Sequence, residues 1–135
     1  MSAFTKSYEN VYAALSKSVK LAELVDVENN VYPLNDPGTP GPGALVVYGW
    51  IAQQWNDKAR RGQGTLAIIA SSETNKVEAS RMMDLIREVM TAKNLSDGSV
   101  VFHLVREESG PGDGMTSPSG RFEIQAQFAC KLVEG

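Results

Sequence analysis

One histidine and one cysteine are the most reactive side chains this sequence offers. His103 stands among Val101, Phe102, Leu104 and Val105, in a run that reads as a strand. A general base needs reach to a nucleophile and usually an orienting carboxylate. Strand alternation puts His103 on the face opposite Phe102 and Leu104, with no such group identifiable beside it, so it reads as structural. Cys130 falls in the apolar register of the last strand and reads as a small buried hydrophobe. A nucleophilic cysteine would need partial exposure and a positive neighbourhood. Gly62-Gln63-Gly64-Thr65-Leu66-Ala67 spells a dinucleotide fingerprint. That motif must end a strand and open a helix, whereas these glycines precede a strand, so the mechanism fails. Asn94-Leu95-Ser96 is a glycosylation sequon by spelling only. The acidic residues are scattered apart from Glu107-Glu108, and no pair has the context of a metal ligand set. The expectation is no catalytic residue, no cofactor and no metal.

What remains is charge at the ends of elements. Lys58, Arg60 and Arg61 make a basic tip, and Glu107, Glu108 and Asp113 make an acidic, glycine-rich one. Solvated loop ends would explain both. Contact with another chain would also explain them, because long connectors in a small domain are often functional. Trp50 and Trp55 lead into the basic tip, and an exposed tryptophan is a common interface anchor. For Trp50, core burial is an equal explanation. The candidate interface is therefore Trp55, Lys58, Arg60, Arg61, Glu107, Glu108 and Asp113.

The elements that must position these residues follow from periodicity. Phe4, Tyr8, Val11, Tyr12, Leu15 and Val19 share one helix face, and Leu21, Leu24 and Val25 extend it through a further turn or short second helix. From Tyr32 to Gly43 the chain carries four prolines and three glycines, which exclude helix or central strand and predict a tethering loop. Ala44 to Trp55 is β-branched and aromatic, and Thr65 to Ala70 is almost wholly apolar. These predict an antiparallel pair, the second strand central, joined by a polar connector from Asn56 to Gly64. Asn75 and Glu78 suggest a capping box ahead of a helix through Met82, Leu85, Ile86, Val89 and Met90, ended by Asn94 and Asp97-Gly98. A third strand runs from Val100 to Arg106, and a loop from Glu107 to Gly120. Phe122, Ile124, Ala126, Phe128, Cys130 and Leu132 alternate with mainly polar residues, so the last strand has one buried face.

The order is α-β-β-α-β-β. It predicts a single α+β domain over residues 1–135: a two-layer unit with a mostly antiparallel sheet of about four strands, covered on one face by two helices. A length of 135 residues with 42% apolar composition can bury a core without staples. The formal charge of −3 speaks against a general or sequence-specific nucleic-acid binder. One cysteine allows no intramolecular disulfide. No signal peptide or membrane-length apolar run is read, so the expectation is a soluble protein without a membrane partner.

In order and length the chain resembles the phage tail terminator, or tail-completion, family. The segments that carry the resemblance are "YENVYAALSKSVKLAELV", the irregular "NNVYPLNDPGTPGPGALVVYGW", the hairpin "KARRGQGTLAIIASS", the helix "EASRMMDLIREVM" and the closing strand "GRFEIQAQFACKLVEG". The Pro/Gly stretch is longer than this pattern needs. The resemblance implies a homo-oligomeric ring, a hexamer, that caps the tail tube, stops its polymerisation and presents a surface to the head. It implies the major tail tube protein and a neck or head-tail connector protein as partners, a virion location after assembly in the host cytoplasm, and no catalytic residue. A neck or head-completion protein on the portal side is the structural rival. A small ligand-binding or enzymatic α+β domain, with a site under the loop from Gly110 to Gly120, is the rival from another class.

Overall fold

The computed structural model describes residues 3–34, 43–109, 115–116 and 120–135. Helix α1 spans Ala3–Ser16 and buries Phe4, Val11 and Leu15 of the face its periodicity selects, whereas Val19, expected on that face, begins the next helix and is 74% exposed. Helix α2, Val19–Ala22, follows at once, with the Ser18 hydroxyl accepting from the Leu21 N–H as its N-cap. Strand β1 is the short Val31–Pro33. Then come β2, Leu45–Asn56, and β3, Arg61–Ser72. Helix α3 is Lys76–Val89, and α4 is Ala92–Leu95. Strands β4, Val100–Ser109, β5, Met115–Thr116, and β6, Phe122–Glu134, complete the chain.

The strands form one sheet in the order β1-β2-β3-β6-β4, with β5 beside β6. Only β1 and β2 are parallel; the other pairs are antiparallel. The α+β expectation holds, with β2 against β3 and β3 central. Helix α2 is the short second helix that the extended apolar stripe allows, whereas among the described residues β1, α4 and β5 are too brief for periodicity to reveal. Pro33 ends an edge strand, where the missing N–H costs no ladder bond. The rest of the Pro/Gly stretch, residues 35–42, lies outside the described residues.

The core lies between the helices and one sheet face. Val46, Tyr48, Leu66, Ile68, Ile124, Ala126, Phe128, Cys130 and Leu132 are buried there beneath α1 and α3. The opposite face carries Gln54, Gln63, Gln125, Gln127 and Lys131, and no described helix packs on it. Alternation of period two in β6 is therefore realised as one buried and one open face.

Helix α3 starts as its sequence predicts, the Asn75 side chain accepting from the Glu78 N–H at 2.7 Å. The reciprocal half of a capping box is absent: Glu78 accepts from the Ser72 hydroxyl, which in turn accepts from the Asn75 N–H. The helix also ends earlier than predicted. Met90 leaves the helical region (ψ 71), and Thr91 caps the separate α4. One continuous periodicity is thus served by two helices with a break between them.

Candidate functional site

The basic tip is tighter than a connector from Asn56 to Gly64. Ladder pairing runs to Asn56 and Arg61, leaving the turn 57–60. Asn56 closes it by accepting from the Ala59 N–H through its side-chain oxygen at 3.0 Å. Arg60 takes a left-handed backbone, φ 54, which is uncommon outside glycine. Lys58, Arg60 and Arg61 are all exposed. Arg60 approaches the Glu134 carboxylate at 3.7 Å, with its side chain 70% exposed, a contact worth little energetically.

Behind this tip lies an aromatic cluster rather than a free anchor. The Phe4 ring meets Trp50 edge-on at 4.8 Å between centroids and Trp55 at 6.0 Å. The Trp50 indole N–H donates to Ser7 Oγ at 2.8 Å. Trp55 is therefore half-buried on the helix-bearing side of β2, packed against the core. Gly62 and Gly64 sit opposite these rings. A Cβ at Gly64 would lie 2.5 Å from the Ala52 carbonyl oxygen and 2.9 Å from Phe4, and one at Gly62 would lie 2.5 Å from the Gln54 carbonyl oxygen and 2.7 Å from Trp55. The glycines of the nucleotide-like spelling lie inside β3 and make room for α1 to dock.

The acidic group departs from its expectation. Glu107 and Glu108 lie on β4, which runs through to Ser109, instead of in a loop. Pairing with β6 continues through Glu107↔Phe128 and Ser109↔Gln127, with a bulge between them at Glu108. Glu107 turns to the helix side and accepts from Arg87 Nε at 2.7 Å, while Arg87 Nη1 also reaches Asp84 at 3.0 Å. It serves the α3–β4 contact. Glu108 is exposed. Asp113 lies outside the described residues, as does most of the segment from Gly110 to Gly120.

His103 is also displaced from its expected place. Phe102 pairs Leu132 and Leu104 pairs Lys131, so His103 is the extra residue of a β-bulge. The bulge breaks the alternation: Phe102 is buried while Leu104 lies on the open face beside Lys131. His103 is exposed and lines an open groove with Gln63, Arg61 and Lys131. Cys130 is buried, its thiol pushed up to about 12 by burial and then by the charge of Glu108, so no thiolate forms near neutrality. Among the described residues, no group of three or more His, Cys, Asp or Glu side chains could hold a metal. None of their helices is long and apolar enough to cross a membrane.

One feature of this end of the sheet is not read from periodicity. The turn before β4 seals part of that strand's edge. Asp97 accepts from the Val100 N–H at 2.8 Å and the Ser99 N–H at 2.7 Å, and these donors hold its carboxyl below the usual range. Ser96 Oγ accepts from the Phe102 N–H at 2.9 Å. The Asp97-Gly98 turn signal marks the position; which strand it would cap is a tertiary matter.

No family model matches the sequence, and none of the curated proteins matches it. Solved structures do. A chain described as "Virion of native gene transfer agent (GTA) particle" superposes with a TM-score of 0.71 at 17% identity, over 93% of this chain and 92% of that one. This chain shares its fold with that one. A second solved chain superposes with a TM-score of 0.54 at 14% identity, over 94% of each. At such identities the likeness is one of fold, over nearly the whole of the chains compared.

Proposed function

We propose that this protein is a structural component of a virion tail: a ring that caps the tail tube, stops its polymerisation and offers the surface for joining to the head. The observation that supports this best is the near full-length superposition on a chain of a gene transfer agent virion. The segment order shared with tail terminators points the same way. On this reading termination is a binding event with no chemical step. Copies of the chain contact one another head to tail, and the ring closes because the contact is a rotation. One ring face takes the major tail tube protein and the other a neck or connector protein. The ring is made in the host cytoplasm and ends in the tail.

The exposed turn with Lys58, Arg60 and Arg61 supplies the charge that steers a neighbour into register. Among the described residues one weak ion pair, Arg60 with Glu134, engages it, which leaves its charge available to a partner. Arg60→Glu combined with Arg61→Glu is expected to leave the subunit folded by circular dichroism while impairing ring formation in light scattering. Normal assembly of that variant would remove the turn from the interface. The function itself is tested by electron microscopy of particles made without the protein. Overlong tubes support a terminator, whereas tails of normal length beside leaking heads would mean a neck protein.

A further inference from the structure

Among the described residues, both sides of the sheet leave strand backbone without a neighbouring strand, and the two are sealed very differently. On β2, the strand β1 pairs only Val46, Tyr48 and the residue between them. From Gly49 to Asn56 no described strand lies on that side; the Trp50 N–H is taken by the Tyr8 hydroxyl at 3.5 Å, and beyond it the stretch Ile-Ala-Gln-Gln-Trp-Asn carries no charged side chain. Ile51, the extra residue where the pairing shifts between Trp50 and Ala52, is 52% exposed. A long, uncharged open edge invites pairing, and isolated proteins usually block it with charge, proline or a cover.

The direction of the backbone groups follows from the bonds already made. The Val46 N–H donates to the Asn30 carbonyl at 2.8 Å, and Tyr48 accepts from the Leu34 N–H at 2.7 Å, so these residues face β1. Past the extra residue at Ile51 the alternation changes phase, and Gln53 and Trp55 face outward. On β4 the outward groups of Val100 and Phe102 are taken by Asp97 and Ser96. Beyond the bulge at His103 the outward groups belong to Val105 and Glu107, and no described strand covers them.

The two open stretches are level. Straight across the sheet, Gln53 pairs Gly64, Gly64 pairs Cys130, and Cys130 pairs Val105. Likewise Gly49, Ala67, Gln127 and Ser109 stand in line. Strands β2 and β4 run in opposite directions, because β3 and β6 intervene as antiparallel neighbours. A second copy set beside the first with its sheet in the same sense would therefore meet it as an antiparallel pair without axial displacement. Asn56 is level with Val101, so the incoming basic turn lies beside the exposed carboxylate of Asp97. That places opposite charges together.

We infer that the β2 edge from Gly49 to Asn56 receives the β4 edge, Leu104 to Ser109, of a second copy, so that the sheet continues across the subunit boundary. This deepens the ring reading and rests on it. The contact is heterologous, and a pairing without axial shift is what lets such a contact close into a ring instead of climbing into a helix.

The test uses two full-length variants and light scattering after gel filtration. Gln53→Pro removes an outward N–H from β2, and Val105→Pro removes one from β4; neither donor serves the ladder to the inner neighbour. Each variant alone is expected to run as a monomer where the wild type assembles. Mixed, they are expected to form a one-to-one heterodimer, because each retains the edge the other lacks. Ile51→Lys and His103→Lys repeat the pair with the backbone intact, in case a proline impairs folding. Variants that all assemble like the wild type would overturn the inference while leaving the ring standing. So would homodimers of Val105→Pro, which would mean two β2 edges pairing with each other, or a mixture that stays monomeric. A wild type that remains monomeric at every concentration, with tails of normal length formed without it, would instead sink the ring reading itself.

Discussion

A single methyl group at Gly64 is expected to cost about 1–3 kcal/mol, because it would press on the Ala52 carbonyl and the Phe4 ring in a packed site. Urea denaturation of Gly64→Ala would show this as a lower midpoint with an unchanged slope. Cys130 offers a second check. Its thiol is raised from an ordinary value of 9.0 to about 12 by burial first and the Glu108 charge second. The folded state then keeps a proton that the unfolded chain releases, so this group costs stability as pH rises above 9.0 and is neutral to stability below it. At pH 8 a thiol reagent is expected to label Cys130 only at the rate of unfolding; rapid stoichiometric labelling of the native protein would contradict its burial. Asp97 behaves in the opposite sense. Its carboxyl is lowered by the Val100 and Ser99 N–H donors, so its contribution is complete above its ordinary 3.8 and is lost as pH falls through the lower folded value.

At the scale of elements, docking of α1 depends on one aromatic ring. Phe4 is 2% exposed and touches both tryptophans. Phe4→Ala is expected to destabilise the fold by about 3–5 kcal/mol and to shift tryptophan emission to the red as Trp50 and Trp55 meet water. Unchanged emission would mean that α1 is held by other contacts. The cap of α3 is a smaller effect: Asn75→Ala should cost about 1 kcal/mol, since only one N–H loses its acceptor. These elements were largely legible in the residues. The apolar stripe of α1, the cap of α3 and the alternation of β6 each declare themselves over a dozen residues or more. The short β1, α4 and β5 do not, because periodicity needs length to be seen. The ends of elements were misjudged for a related reason. Glu107 and Glu108 look like loop residues by composition, yet pairing with β6 and the Arg87 contact keep β4 extended through them.

For the whole molecule, self-assembly makes stability a function of concentration. If the subunits form a ring, the melting temperature should rise with protein concentration, and Ile51→Lys should abolish that dependence. A melting temperature independent of concentration, but raised by a small metabolite, would favour a ligand-binding domain instead. The candidate site was legible only in its basic half. Lys58, Arg60 and Arg61 announce a charged turn in the sequence, and the structure puts all three on the surface. The strand edge beside them was not legible, because which strand lies at an edge depends on pairing with distant residues and leaves no mark on its own composition.

By itself the sequence determined the domain class and the buried faces of α1, α3 and β6. Those properties live in local order and in apolar periodicity, which act over a few residues at a time. Tertiary structure alone decided which of the described strands end the sheet, that Ser96 and Asp97 close part of the β4 edge, and that a bulge at His103 turns Leu104 away from the face of Phe102. These depend on pairing between residues far apart in the chain, where one inserted residue in a strand changes what every later backbone group can reach.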